Sequence, residues 1–449
     1  MPRTAHATRQ FEPRIRELGA QIFKRARAAE PSIIRPDWWM TRLMNWATSA
    51  PKRKLQLFRF VDVLPTLQTD ESLVRHLAEY LLQDDVPLPG AFGRMLKHAA
   101  DGAWYQSQLA SAARYNAQRM ARKFIAGQTP DEAIEVIRSL RDQRMAFTID
   151  ILGEATNSDV QADWYQRQCL SLLDALGPTA KTWNAVPQID DAATGPMPRV
   201  NLSIKLSSLD PNFDPIAPEH TFERVGERLR PILRKAMTLG CFVNIDMEQH
   251  AYRDLTLDIF KRVLMEPEFA KFADVGIVIQ AYLQDAPRDL DGVLTWVKDR
   301  GTPIAVRIVK GAYWDYETVW AIQRGWPIPV LTKKWQSDAQ FEQMCRTLLD
   351  HTALIRPAIA SHNVRSIAAA LAYAEANEIS PQSFELQMLF GMGDPLKTAV
   401  AEMDYTLRVY TPFGELIPGM AYLIRRLLEN TSNESFLKHT FSEQQSTEQ

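Results

Sequence analysis

Two adjacent arginines, Arg425 and Arg426, lie in the segment Tyr422-Leu423-Ile424-Arg425-Arg426-Leu427-Leu428-Glu429-Asn430, which is otherwise mostly apolar. A guanidinium grips a carboxylate in a bidentate way, so the pair reads as a carboxylate clamp. It also reads as the solvated basic turn of a helix. Arg425 precedes Glu429 by four residues, the less favourable order for a helix-stabilising pair. Spacing alone leaves both readings open. Further upstream, ionisable and amide side chains interrupt or end short apolar runs: Glu154, Lys205, Asp246, Glu248, His250, Gln280, Arg307, Lys310 and His362-Asn363. Such groups are costly to bury unless paired or used. Lys205 has the type of a Schiff-base lysine, because desolvation lowers a lysine pKa. The simpler reading pairs it with Asp246 on a neighbouring strand. Asp246, Glu248 and His250 stand at i, i+2 and i+4, positions that share a strand face and could ligate a metal. The alternative keeps Asp246 for the site and places His250 beyond the strand, and no metal is assigned. Glu154 with Glu248 could form a glycosidase pair, but that leaves the cations without a role.

Nucleotide binding has no GxGxxG after a strand and no GxxxxGK[ST] to support it. Gly391-Met392-Gly393 is only a fragment of such a loop. Val309-Lys310-Gly311-Ala312-Tyr313-Trp314 is better suited. There Lys310 and the Gly311 backbone can meet a pyrophosphate, and Trp314 can stack on an aromatic ring.

These residues need elements to hold them. Residues 1–145 read as a helical arm and domain. Phe11, Ile15, Leu18, Ile22 and Phe23 recur at helical spacing, and Thr129-Pro130-Asp131-Glu132 has the chemistry of a helix start. Trp38, Trp39 and Trp46 suit packing in this region. Beyond it, strand patterns at 147–154, 200–206, 241–248, 276–281, 304–310, 358–362, 384–389 and 406–410 alternate with helical patterns. The helices fall at 158–175, 219–239, 254–265, 287–300, 336–352, 365–377, 394–402 and 419–430. The strands are near-continuous apolar runs, as in parallel sheets covered on both sides. Eight such pairs predict an α/β fold, a (β/α)8 TIM barrel, distorted so that the last helix covers the mouth. An open doubly wound sheet uses the same alternation. The expected boundaries are 1–145 helical, 146–437 barrel and 438–449 polar tail. In a barrel the ionisable residues above all fall at one rim, the carboxyl ends of the strands, where barrel chemistry sits.

Composition removes several classes. A formal net charge of −2 over 449 residues gives no electrostatic case for nucleic acid. Cys169, Cys241 and Cys345 form no CxxC and, being three, no disulfide framework. No charged-then-apolar leader and no apolar run near the ~20 residues needed to span a bilayer is present. The expected location is cytoplasmic, with peripheral contact at the inner face of a membrane left open.

The ordered set of motifs resembles the proline dehydrogenases. It comprises Ser203-Ile204-Lys205-Leu206-Ser207, Asn244-Ile245-Asp246-Met247-Glu248, Ile279-Gln280-Ala281-Tyr282, Val306 to Trp314, Ser361-His362-Asn363, Gly391-Met392-Gly393, Arg408-Val409-Tyr410 and Tyr422 to Asn430. The helical front resembles that of the bifunctional proline utilization A proteins; an aldehyde dehydrogenase half and a DNA-binding module are not recognised. The resemblance implies oxidation of L-proline with FAD by hydride transfer from C5 to flavin N5, electrons then passing to a quinone. It also implies a separate pyrroline-5-carboxylate dehydrogenase downstream. Carried over, Arg307 lies beside the flavin. Met247, Gln280, Lys310, Gly311, Ala312, Trp314, Lys333, Ser361 and His362 hold the cofactor. Lys205, Arg425 and Arg426 take the substrate carboxylate, with Glu154 and Glu429 pairing the arginines and Asp246 orienting Lys205. Tyr313, Leu389 and Tyr410 pack the pyrrolidine ring. Tyr410 favours proline over hydroxyproline, whose preferring relatives carry a smaller residue there. Ser361 departs from the usual threonine, Phe390 from a frequent histidine and Gln249-His250 from an acidic continuation. A lyase or hydrolase using Lys205 or a metal, and a non-enzymatic interaction module, are the readings set against this one.

Overall fold

The computed structural model describes residues 10–29, 56, 59–60, 63–82, 90–102, 104–153 and 156–415. The expected last helix, with Arg425, Arg426 and Glu429, lies outside the described residues, as does Glu154. The chain divides into two compact units, one of residues 1–29 with 129–413, the other of residues 30–128 with 414–449.

In the second unit, helices Asp70–Leu81, Gly90–Ala100 and Gln106–Arg122 pack on one another. Thr69 caps the first by accepting from the Ser72 N–H, and Leu73, Val74 and Leu77 form its buried face.

The first unit is a closed barrel of eight parallel strands. They are β1 (Ala146–Ile151), β2 (Asn201–Ile204), β3 (Phe242–Ile245), β4 (Val275–Gln280), β5 (Ile304–Val309), β6 (Ile355–Ala360), β7 (Glu385–Leu389) and β8 (Leu407–Phe413). Each pairs with the next, and β8 closes on β1 with Thr148 opposite Tyr410 and Asp150 opposite Pro412. Closure removes the free edges that an open doubly wound sheet would keep. Several strand bounds differ from the sequence pattern: the strands predicted at 147–154 and 241–248 end at Ile151 and Ile245. β6 begins three residues before the predicted 358, because Arg356 and Pro357 interrupt the apolar run that marks it. β8 runs on to Phe413. A helix at Trp314–Arg324, absent from the predicted set, precedes Lys334–Leu349.

The helical arm also divides differently from the sequence pattern. Helix Glu12–Ala28 buries Ile15, Leu18 and Ile22 and packs on barrel helices Val364–Ala376 and Asp394–Ala401. Ion pairs Arg14–Glu375 and Arg365–Glu12 flank that contact. Exposed pairs of this kind add little; the apolar face does the holding.

Alternation along the strands separates two layers. Phe147, Ile149, Ile151, Ile277, Ile279, Ile304, Val306 and Ile308 face the helices and are fully or nearly fully buried. The inward positions are polar to an unusual degree: Thr148, Asp150, Asn201, Ser203, Asn244, Gln280, Arg307, Glu385, Gln387, Arg408 and Tyr410. Their direction follows from bonds that cross the interior, such as Arg307 to Ser203 and Tyr410 to Asp246. A barrel interior is ordinarily filled by branched apolar residues.

Candidate active site

The carboxyl ends of the strands bring five side chains into one network. Asp246, just past the end of β3, is its hub. Oδ1 accepts from Arg307 Nη1 at 2.7 Å, Ser203 Oγ at 3.0 Å and Asn244 Nδ2 at 3.1 Å. Oδ2 accepts from the Tyr410 hydroxyl at 2.7 Å. Arg307 also lies over the Tyr410 ring, 5.2 Å from its centroid. Strands β2, β3, β5 and β8 thus converge on one carboxylate.

Lys205 meets this network from the side. It follows β2, its backbone N–H donates to the Tyr165 hydroxyl at 3.1 Å, and its Nζ donates to Asp150 Oδ1 at 2.5 Å. Asp246 Oδ2 is 3.9 Å away. The Asp246 pairing expected from sequence is present as the longer of two ion pairs, and Asp150 of β1, which the sequence reading did not single out, is the closer partner. Asp246 already accepts from four donors, three of them at Oδ1. Burial alone would push Lys205 down, but Asp150 and Asp246 outweigh it and hold the ammonium well above the ordinary lysine range. Burial pushes the Asp150 carboxyl up while Lys205 pulls it down. The two upward directions oppose each other within one pair. The charged pair is the state that the geometry supports, with two carboxylates within 3.9 Å of one ammonium. A lysine held so firmly protonated is a poor Schiff-base nucleophile.

Glu248 and His250 do not continue the β3 face as the i, i+2, i+4 spacing suggested, because the strand ends at Ile245. Glu248 Oε1 accepts from Ser207 Oγ at 2.7 Å, and burial pushes its carboxyl up. His250 begins a short 3-10 turn, its N–H donating to Glu317 Oε1 at 2.6 Å. The chain direction has turned before His250 can join Asp246.

The residues expected to hold a cofactor lie along the same rim. Gln280 ends β4 and donates to the Glu248 carbonyl at 3.0 Å. Met247 is buried beside them in sequence. Lys310 follows β5 and pairs with Asp338, which Lys334 also reaches at 3.1 Å. Asp338 carried no signal in the sequence pattern. Gly311 has φ +133°, and a Cβ there would strike the Tyr282 ring, so this turn requires glycine. Ala312 and Tyr313 are half-buried, and Trp314 is exposed, its indole N–H donating to the Leu331 carbonyl at 2.9 Å. Ser361 accepts from the Asn363 N–H, and His362 Nε2 accepts from the Leu389 N–H at 2.8 Å. Lys333 is an exposed residue at the start of helix Lys334–Leu349.

Several buried polar atoms at this rim have no hydrogen-bond partner among the described residues: Arg307 Nε and Nη2, Gln280 Oε1 and Glu248 Oε2. Buried donors left so are rare and need an explanation. Donors on Arg307 beside an acceptor on Gln280 suit a planar heterocycle that both donates and accepts, and an isoalloxazine has both kinds of edge. A separate cavity lies at the other end of the barrel, among Asn201, Phe242, Asn244, Gln387 and Arg408. It opens on the opposite side of the barrel interior from the carboxyl ends of the strands, with Asn244 shared between it and this network.

The layout, a parallel eight-stranded barrel with a charged, incompletely paired cluster at the carboxyl ends of its strands, is that of the barrel enzymes. The proline dehydrogenase family profile matches residues 133–439, and that of the proline utilization A N-terminal domain matches residues 12–124. The chain belongs to the proline dehydrogenase family. It is 32% identical over 325 residues to the bifunctional protein PutA of Klebsiella aerogenes, covering 71% of this chain and 24% of that protein. It is 28% identical over 327 residues to proline dehydrogenase 1 of Bacillus subtilis (strain 168), covering 72% of this chain and 91% of that one. A crystal structure of proline utilization A from Bdellovibrio bacteriovorus inactivated by N-propargylglycine superposes with a TM-score of 0.86 at 43% identity. That match covers 96% of this chain and 43% of the other. The chain thus spans about a quarter of the curated bifunctional relative and under half of that solved one. No helix among the described residues is long and apolar enough to cross a membrane.

Proposed function

We propose that this chain oxidises L-proline to Δ1-pyrroline-5-carboxylate with FAD, the first step of proline breakdown, and passes the electrons to a quinone. A separate dehydrogenase would consume the product. The observation that carries the reading is Arg307. It is a buried guanidinium with one nitrogen committed to Asp246 and two without partners among the described residues, at the mouth of a proline dehydrogenase family barrel.

When bound, FAD supplies the acceptor for the hydride that leaves C5 of proline with its electron pair. Met247, Gln280, Arg307, Lys310, Gly311, Ala312, Trp314, Lys333, Ser361 and His362 would hold it. The chain's own part is positioning and electrostatics. Lys205, with Arg425 and Arg426, takes the proline carboxylate. Glu154 and Glu429 offset the two arginines until substrate arrives. The amine must be neutral, so that its lone pair forms the C=N bond as the hydride departs and its proton is then lost. Arg307 places positive charge where electron density accumulates. Tyr410, anchored through its hydroxyl to Asp246, closes the ring pocket with Tyr313 and Leu389 and disfavours a hydroxylated ring.

A visible absorption spectrum tests this directly. The purified protein is expected to show flavin absorbance that bleaches when L-proline is added without oxygen. A protein reconstituted with FAD that shows neither would end the proposal. N-propargylglycine is expected to inactivate it irreversibly, and full activity after prolonged exposure would count against a shared site. Arg425→Met should raise KM at least tenfold, the loss of a charge-assisted bond of ~1.5–3 kcal/mol. An unchanged KM would remove the clamp.

A further inference from the structure

Asp150 was read from sequence as part of an apolar strand, and no role in the proposed chemistry falls to it. In the barrel it is fully buried, points inward from near the carboxyl end of β1 and reaches Lys205 Nζ at 2.5 Å. We infer that Asp150 is the positioning residue for Lys205, fixing the ammonium that receives the substrate carboxylate.

The case rests on distances and on which donors each carboxylate takes. Asp246, the alternative anchor, accepts from Arg307, Ser203 and Asn244 at Oδ1 and from Tyr410 at Oδ2. Lys205 Nζ stands 3.9 Å from Asp246 Oδ2, beyond hydrogen-bond distance. Asp150 Oδ1 is the acceptor that Lys205 Nζ reaches at 2.5 Å, with the Tyr410 hydroxyl a further donor to the same carboxylate. An ammonium has three donors, and Asp150 takes one.

The backbone is held from the same side. The Lys205 N–H donates to Tyr165, a residue 1% exposed, on helix Asp159–Lys181, so main chain and side chain are fixed together. The Lys205 side chain is largely buried, with 15% of its surface accessible. Charge also balances: Arg307 and Lys205 are offset by Asp246 and Asp150. The cluster is therefore neutral before an anionic carboxylate arrives. Removing Asp150 would free Lys205 to compete with Arg307 and Tyr410 for Asp246.

This inference rests on the reading that Lys205 meets a proline carboxylate, and the test separates the two. Calorimetry would measure binding of a saturated five-membered-ring carboxylate lacking the amine to the FAD-loaded protein, alongside steady-state kinetics with L-proline. Failure of the wild type to bind it would defeat the proline reading itself. With binding present, Asp150→Asn is expected to weaken the analogue and raise KM about tenfold with kcat changed less than threefold. That corresponds to one charge-assisted bond. Lys205→Met should do the same, and the double variant should be no worse than Lys205→Met alone, since Asp150 acts through the lysine. Additive losses, or unchanged or tighter binding by Asp150→Asn, would overturn the inference and leave Asp150 as a structural counter-charge. Asp150→Glu keeps the charge and displaces it by one methylene, guarding against a variant that does not fold. It should also weaken binding, and wild-type affinity would again overturn the inference.

Discussion

The two faces of the barrel strands make a sharp contrast. Ile308 and Arg307 are neighbours in β5 and both are buried, at 0% and 4% exposure. Ile308 sits beneath the helices in a layer of branched apolar side chains, which stabilises by water exclusion and tolerates changes of shape. Arg307 faces the interior, where each polar group depends on a particular partner. An apolar layer degrades gradually as atoms are removed. A buried polar interior fails in steps, because removing one partner strands the other.

The largest expected effect lies low in the interior. Arg408 forks onto Glu385 with contacts of 2.9 and 3.0 Å and also donates to the Phe147 carbonyl. Arg408→Met leaves that buried carboxylate without its ion-pair partner, with the Gln387 amide still donating to it, and should cost about 3–5 kcal/mol in chemical denaturation. A loss below 1 kcal/mol would mean that the interior behaves like the outer layer.

Next is Arg307→Met at the upper end. Turnover of proline should fall about a hundredfold or more, the scale of losing one preorganised charge at a reacting centre. Retained turnover would make Arg307 a structural member of the Asp246 network only.

Acidity distinguishes the faces again. Burial pushes Glu385 up, but Arg408 and the Gln387 amide hold it below its ordinary value. Its contribution to stability is therefore present above the unfolded carboxyl pKa and is lost as pH falls through the lower folded value. Arg408→Met removes the largest lowering cause, so acid unfolding followed by circular dichroism should begin at a higher pH than in the wild type. An unshifted midpoint would show that Glu385 does not govern it.

The smallest effect belongs to the outer layer. Ile308→Val should cost about 0.5–1.5 kcal/mol and leave kcat/KM unchanged. A change in kcat/KM would show that the layers are coupled.

Much of this was legible in the residue order. The apolar runs of the outer layer mark the eight strands, and the polar residues ending them mark the rim. Arg307, Gln280 and Lys310 stand out because they interrupt such runs. Asp150 was not singled out: Thr148 and Asp150 stand at i and i+2, but the flanking Phe147, Ile149 and Ile151 mask that alternation. Asp338 carried no signal, since a helix surface is where an acid is ordinarily found.

The sequence by itself determined the alternation of strands and helices, the rim and the family motifs, because periodicity and motif spacing are local properties of the chain. Only the tertiary structure decided who pairs with whom. Closure of the barrel brings β1 against β2 and β8, so Asp150 comes closer to Lys205 than Asp246 does. It also lets Arg307 and Tyr410, from β5 and β8, meet on Asp246. Those choices depend on distances across the interior and on which donors meet each carboxylate, and neither is written along the chain.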